Sequence, residues 1–271
     1  MSYIIKIITN SLIAPFFLVM LLLTPDMSKH QELKFDQAHT LLVELDGLQK
    51  SGKRDMATLE QLRGLVKKVP EEVPSLLNDA TLELLASPGD HPPDQIQAKI
   101  ASALRIVPLD QYKPEAFVFR LAPQKRAAYL IAYNVPYCAS CSRAWIGVIG
   151  KKGDRYEILS EGGELFANKS LHVAPLVRSE GGKDRFLVYG TNWGDAHRRL
   201  TAVGYVAEGA GLRRFWARTD LPEGNVEVTG AQITLSFLTA LTPPWEEKTE
   251  VYKILPSEEI KLERSSERPD P

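Results

Sequence analysis

The chain has 271 residues, a formal net charge of −1 and 25% charged residues. Acids and bases are interspersed along it, so it carries no electrostatic footprint for a nucleic-acid backbone, and nucleic acid is excluded as a partner. A hydrophobic content of 44% is enough for a folded core, and the length suits two domains.

The first segment concerns location. A single cation, Lys6, precedes an uncharged apolar run from Ile7 to Pro25, the layout of an export signal. Cleavage is poorly provided for: a cut after Thr24 or Ser28 leaves Leu22 or Asp26 at the third position before it, where a small neutral residue is wanted. The run approaches the roughly 20 residues that span a bilayer, so residues 1–25 read as an uncleaved membrane anchor ahead of a removed signal peptide. The expected location is the cell envelope, with membrane contact through residues 7–25 or release into the periplasm or medium.

Residues 33–108 read as a helical domain. Apolar residues recur at helical spacing in four stripes: Ala38 to Leu48, Leu59 to Val69, Leu76 to Leu84, and Ile96 to Val107. Thr58 and Gln61 have capping-box spacing at the head of the second, Pro74 sits in the first turn of the third, and Pro92-Pro93-Asp94 opens the fourth. Four short antiparallel helices are expected. "LVKKVP" (65–70) and "ALRIVP" (103–108) also rhyme, which leaves two helical-hairpin repeats as an equal alternative to a plain bundle.

From residue 115 to 256 the signal is β. Short runs rich in aromatic and β-branched residues, such as "AFVFRL", "AAYLIAYNV", "RFLVYG" and "QITLSFL", alternate with Gly-bearing turns. An all-antiparallel domain is expected, a sandwich or stacked meanders with propeller-blade-like repeats. The repeat is visible as Tyr129 to Asn134 answered by Leu187 to Asn192, each followed by a loop and then a strand bearing Gly147 or Gly204. Residues 257–271, charged and short of apolar side chains, read as a disordered tail. The fold class is therefore α+β.

If the repeat holds, loops 135–143, 193–198 and 239–247 gather at one end of the β domain. They contain Tyr137, Trp193, Asp195, His197 and Trp245, the candidate binding residues, together with the only two cysteines, Cys138 and Cys141. In an exported chain the pair is expected as a disulfide that shapes its loop. "YLIAYNVPYCASC" resembles the strand-then-CxxC opening of a thioredoxin-like domain, with Pro175 in the place of that family's cis-proline, which implies a thiol–disulfide oxidoreductase as the alternative. The "AWIGVIG" that follows, however, reads as a strand where such an enzyme places a helix. Asp195 and His197 could face Ser140 or Ser142 in a hydrolytic triad, but an ordinary charged turn is the stronger reading. No metal and no cofactor is assigned. The residues favour a binding or assembly module over an enzyme, with an unknown protein or small molecule of the envelope as partner.

Overall fold

The computed structural model describes residues 27–105, 115–122, 128–138, 141–163, 170–193, 197–208, 211–229, 231–240 and 245–269. The expected anchor in residues 7–25 lies outside them. Among the described helices, none is long and apolar enough to cross a membrane. Three helices, α1 (Met27–Ser51), α2 (Met56–Ala86) and α3 (Pro93–Leu104), precede twelve strands in three four-stranded antiparallel sheets.

The expected four helices are three, because the second and third stripes run on as the single helix α2 through Pro70 and Pro74. Each proline removes one i to i−4 hydrogen bond, which ordinarily ends or kinks a helix. Here a neighbour meets the consequence: the Pro70 carbonyl, left without the Pro74 N–H, lies 3.4 Å from Arg143 Nη1. Val69, Val73 and Leu77 are fully buried around the two prolines, so tertiary packing outweighs the local signal. Pro70 therefore lies inside a helix, so the first "VP" segment does not mark a repeat end, and the second, residues 107–108, lies outside the described residues. The capping box is also different. Asp55 is the N-cap, its Oδ1 accepting from Thr58 N (2.9 Å) and its Oδ2 from Thr58 Oγ1 (2.8 Å), while Gln61 Nε2 donates to Glu44 Oε1 (3.0 Å).

Each sheet is a meander. Sheet 1 comprises β1 (Ala116–Arg120), β2 (Ala128–Cys138), β3 (Cys141–Lys152) and β4 (Arg155–Glu161). Sheet 2 comprises β5 (Ser170–Leu176), β6 (Arg185–Trp193), β7 (Arg198–Glu208) and β8 (Gly211–Pro222). Sheet 3 comprises β9 (Asn225–Thr229), β10 (Gln232–Leu238), β11 (Glu246–Ile254) and β12 (Ile260–Pro269). Tyr129 to Asn134 and Leu187 to Asn192 fall at matching places on β2 and β6, the second strands of their sheets. Gly147 and Gly204 lie on the third strands because an aromatic ring occupies the space a side chain would need. A Cβ on Gly147 would come within 2.5 Å of the Trp145 ring, and one on Gly204 within 3.1 Å of Phe215.

Three apolar cores hold the layers in sequence. The helices and one face of sheet 1 share a core that includes Leu42, Val69, Ile100, Ile131, Tyr133 and Ile149. Leu130, Ile146 and Val148 on the other face of sheet 1 meet Val173, Phe186 and Val203 of sheet 2. Leu187, Leu200 and Leu221 on the far face of sheet 2 meet Ile233, Leu235 and Tyr252 of sheet 3. Period-2 alternation thus buries both faces of sheets 1 and 2.

The expected disordered tail is strand β12, paired with β11 from Ile254↔Ile260 to Glu246↔Pro269. Its residues from Lys261 to Arg268 are all exposed, which is why the composition resembles a solvated tail. A charged, polar edge strand also resists pairing with other chains. Strand β5 went unrecognised because Pro175 interrupts its pattern; β5 is an edge strand of its sheet, where proline is tolerated.

Sheets 2 and 3 are joined by polar contacts as well. Arg185, 1% exposed, donates to three carbonyls: Nε to Val177 (2.6 Å), Nη1 to Leu255 (2.7 Å) and Nη2 to Arg178 (3.1 Å). Arg185→Leu is expected to destabilise the protein by about 3 kcal/mol, because three hydrogen bonds from a charged donor are lost together. Denaturant unfolding measures this, and a loss under about 1 kcal/mol would show that water replaces the guanidinium.

At the surface, Lys183 Nζ bridges Glu208 (2.8 Å) and Glu258 (3.1 Å), and Arg213 Nη2 also reaches Glu208 (2.8 Å). Hydrogen bonds from Arg213 and then Lys183 hold the Glu208 carboxyl down at about 2, from an ordinary 4.5. A carboxyl lowered in the folded state contributes stability that is full above its ordinary pKa and lost as pH falls toward the folded value. Melting temperature should therefore fall between about pH 4.5 and 2, and Glu208→Gln should flatten that fall. An unchanged slope in the variant would show that Glu208 is not coupled to folding.

Candidate functional site

The strand order allows loops β2–β3, β6–β7 and β10–β11 to share an end, and hydrogen bonds between sheets bring them there. Glu115, which exchanges backbone and side-chain bonds with Asn134 near the end of β2, accepts from Leu171 N at 2.9 Å, and Leu171 pairs with Gly190 near the end of β6. Arg185, at the start of β6, meets Leu255 just beyond the end of β11. The end of β6 therefore lies on the same side as the start of β11, so the strand ends that flank the three loops share one rim of the stack; residues 139–140, 194–196 and 241–244 within those loops lie outside the described residues.

The candidate residues occupy that rim unequally. Trp245 precedes β11 and is 43% exposed. His197 Nδ1 stands 3.6 Å from Glu223 Oε1, a carboxylate that also accepts from Arg198 N (2.9 Å) and Nε (3.0 Å). Burial pushes the Glu223 carboxyl up, but the bonds from Arg198 and the nearby His197 outweigh this and hold it below the usual range. Glu223 is a rim residue that sequence reasoning missed. It stands at φ +46°, a left-handed position in the turn before Gly224, and only the "LPEGN" turn chemistry could have drawn notice to it. Tyr137 is half-buried against the helix-side core, and its carbonyl accepts from Gln49 Nε2 (3.1 Å), so its ring is turned from the rim toward the helices. Trp193 ends β6 opposite Arg198. Its side chain, Asp195 and Ser140 lie outside the described residues. Ser142 is buried, at 4% exposure.

Cys138 and Cys141 face each other in register at the tip of the β2–β3 hairpin, and Cys138 is not a free thiol. Cys141 opens a strand, so no helix N-terminus stands behind the pair to acidify a thiol. Pro175 pairs with Phe186 near the start of β6, at the other end of sheet 2 from the rim. The neighbours that a thioredoxin-like site requires are not brought together. No group of three or more His, Cys, Asp and Glu side chains that could hold a metal occurs among the described residues.

A concavity lies elsewhere, where the end of α2 and the α2–α3 connection meet the β3–β4 hairpin. It is a cavity of about 630 Å³ bounded by His91, Arg120, Tyr129, Lys151, Arg155 and Tyr156. None of these is among the site residues that the sequence suggests.

Comparison of the chain with family models, with curated proteins and with solved structures finds no match in any of the three.

Proposed function

We propose that the protein is a binding or assembly module of the cell envelope, exported and tethered through residues 7–25, which takes a protein or small-molecule partner at the rim formed by the β2–β3, β6–β7 and β10–β11 loops. The observation that supports this reading is that the strand ends flanking those three loops share one side of the stack, where Trp245 is 43% exposed at the start of β11 and His197, Arg198 and Glu223 form a cluster at the start of β7. A half-exposed indole and fixed charges at one rim have the composition of an interface. The three meanders read as propeller-blade-like repeats, fewer than the about 4–8 blades of a closed ring, so they form an open stack.

Fractionation and substitution test this together. The full chain should sediment with membranes and need detergent for release, while deletion of residues 1–25 should leave it soluble and folded. Trp193→Ala with Trp245→Ala should abolish capture of an envelope partner with little change in melting temperature. A large drop in melting temperature would assign the rings to the core, and a soluble chain starting near residue 25 or 29 would establish a cleaved signal.

Cys138 and Cys141 are, in this reading, a structural disulfide of the rim. The supporting observation is their cross-strand register at a hairpin tip. The loop closed is very short, so a double Cys→Ser variant should fold with a loss well below the roughly 3 kcal/mol of a 15-residue loop. The pair should also resist reduction, with a potential below about −300 mV. A potential in the range of the catalytic oxidoreductases, with an acidic Cys138 thiol, would instead favour the enzyme.

A further inference from the structure

The helix-side face of sheet 1 is apolar beneath α2, where Val118, Ile149 and Ile158 join the shared core. On an antiparallel strand the next residue on the same face lies two positions away. Continued toward the β3–β4 hairpin, the three stripes reach Arg120, Lys151 and Tyr156. Register places them side by side, with Arg120 opposite Tyr129 and Lys151 opposite Tyr156. The face thus changes from hydrocarbon to cations at the point where α2 ends.

With Arg155 these residues wall the cavity of about 630 Å³. Lys151 Nζ lies 5.3 Å from the centre of the Tyr156 ring, and Tyr129 donates its hydroxyl proton to the His91 carbonyl (3.2 Å), which pins the α2–α3 connection over the opening. Among the described residues no carboxylate lies within ion-pair distance of Arg120, Lys151 or Arg155. Glu83, in the same wall, is paired with Lys34 at 2.8 Å. The remaining acids of the wall, Asp90 and Asp154, sit in the connection and in the hairpin turn.

We propose that this cavity binds a small oxyanion, the phosphate or carboxylate end of a polar ligand. Three cations with no carboxylate partner among the described residues repel one another across a partly enclosed space, and an anion between them converts that repulsion into charge-assisted hydrogen bonds. Arginine offers a planar fork that matches two oxygens of one phosphate or carboxylate, and lysine adds a point charge. The tyrosine rings form the walls, and Asp90 and Asp154 favour a ligand whose far end is neutral or cationic. Because the site is built from the helical layer and sheet 1, occupancy stabilises their docking. It is independent of the rim.

The full chain, kept monodisperse in detergent, is titrated at low salt with inorganic pyrophosphate, citrate and glycerol phosphate, following binding heat and melting temperature. Saturable binding of at least one probe is expected, weakened by salt and by about tenfold or more in Arg120→Gln and in Lys151→Gln. Asp154→Asn should tighten it, and Arg264→Gln on exposed β12 should leave it unchanged. If only phosphatidic acid in the micelle binds, with the same loss in the glutamine variants, the oxyanion is a lipid headgroup and the site stands. If no probe binds saturably, or affinity is equal in the glutamine variants, the proposal is overturned. A lowered melting temperature in those variants without loss of affinity would assign the cations to the C-terminal dipole of α2 instead.

Discussion

Two of the three sheets are apolar on both faces, and the rest of the architecture follows from covering them. Strand β2 is buried from Ala128 to Pro136, with no solvent face until the rim. A meander of this kind is unstable alone, since each of its faces requires an apolar partner. Sheet 2 is covered by sheets 1 and 3, and sheet 1 by sheet 2 and the helices. The stack ends at sheet 3 because its outer positions are mostly polar: Thr234 and Ser236 on β10, Thr249 and Lys253 on β11, with Val251 and Leu238 the apolar exceptions. At the opposite end the helices supply the polar surface. This is the logic of a capped repeat array, in which terminal layers differ from internal ones.

The boundary between sheets 2 and 3 shows how buried charge is tolerated in such a stack. Glu250 is only 4% exposed, and it accepts from Arg218 Nη2 (2.7 Å) and the Tyr252 hydroxyl (2.5 Å). Burial raises its carboxyl pKa, but Tyr252 and Arg218 outweigh burial and keep it below the usual range. Arg185 has carbonyl dipoles where Glu250 has an arginine. Both clusters fix the angle and register of one sheet on the next, which apolar contacts alone specify poorly.

The features legible in the sequence were those set by periodicity. Helical stripes followed by alternating strands, and the matched segments on β2 and β6, were readable because burial imposes the period directly. Features set by tertiary override were not. Pro70 and Pro74 read as helix ends because the local rule is strong, and only the packing of Val69, Val73 and Leu77 with the Arg143 bond to Pro70 overturns it. Strand β12 read as disorder because an edge strand draws its order from backbone pairing with β11, which composition does not record. The aromatics in equivalent loops pointed to strand ends that share one side of the stack, yet Tyr137 is half-buried against the helix-side core. The cavity was missed because Arg120 and Lys151 look like ordinary strand ends until their face is known.

The unbroken α2 gives these separate features a common mechanical frame. With 31 residues it is about 46 Å long at 1.5 Å per residue, and its second half runs along sheet 1. Near the rim, Arg143 meets Pro70, and the fully buried Tyr133 places its hydroxyl 2.9 Å from Asn78 Oδ1 and 3.2 Å from the Pro74 carbonyl. Tyr133 also stacks on Trp145, with ring centres 5.2 Å apart. At the far end, Leu82 to Ser87 border the cavity. Four short helices would have let the rim and the cavity relax independently. One rod, anchored in mid-length by a buried tyrosine, requires that a shift of the helical layer at the cavity strain the Tyr133–Asn78 contact before it reaches the rim.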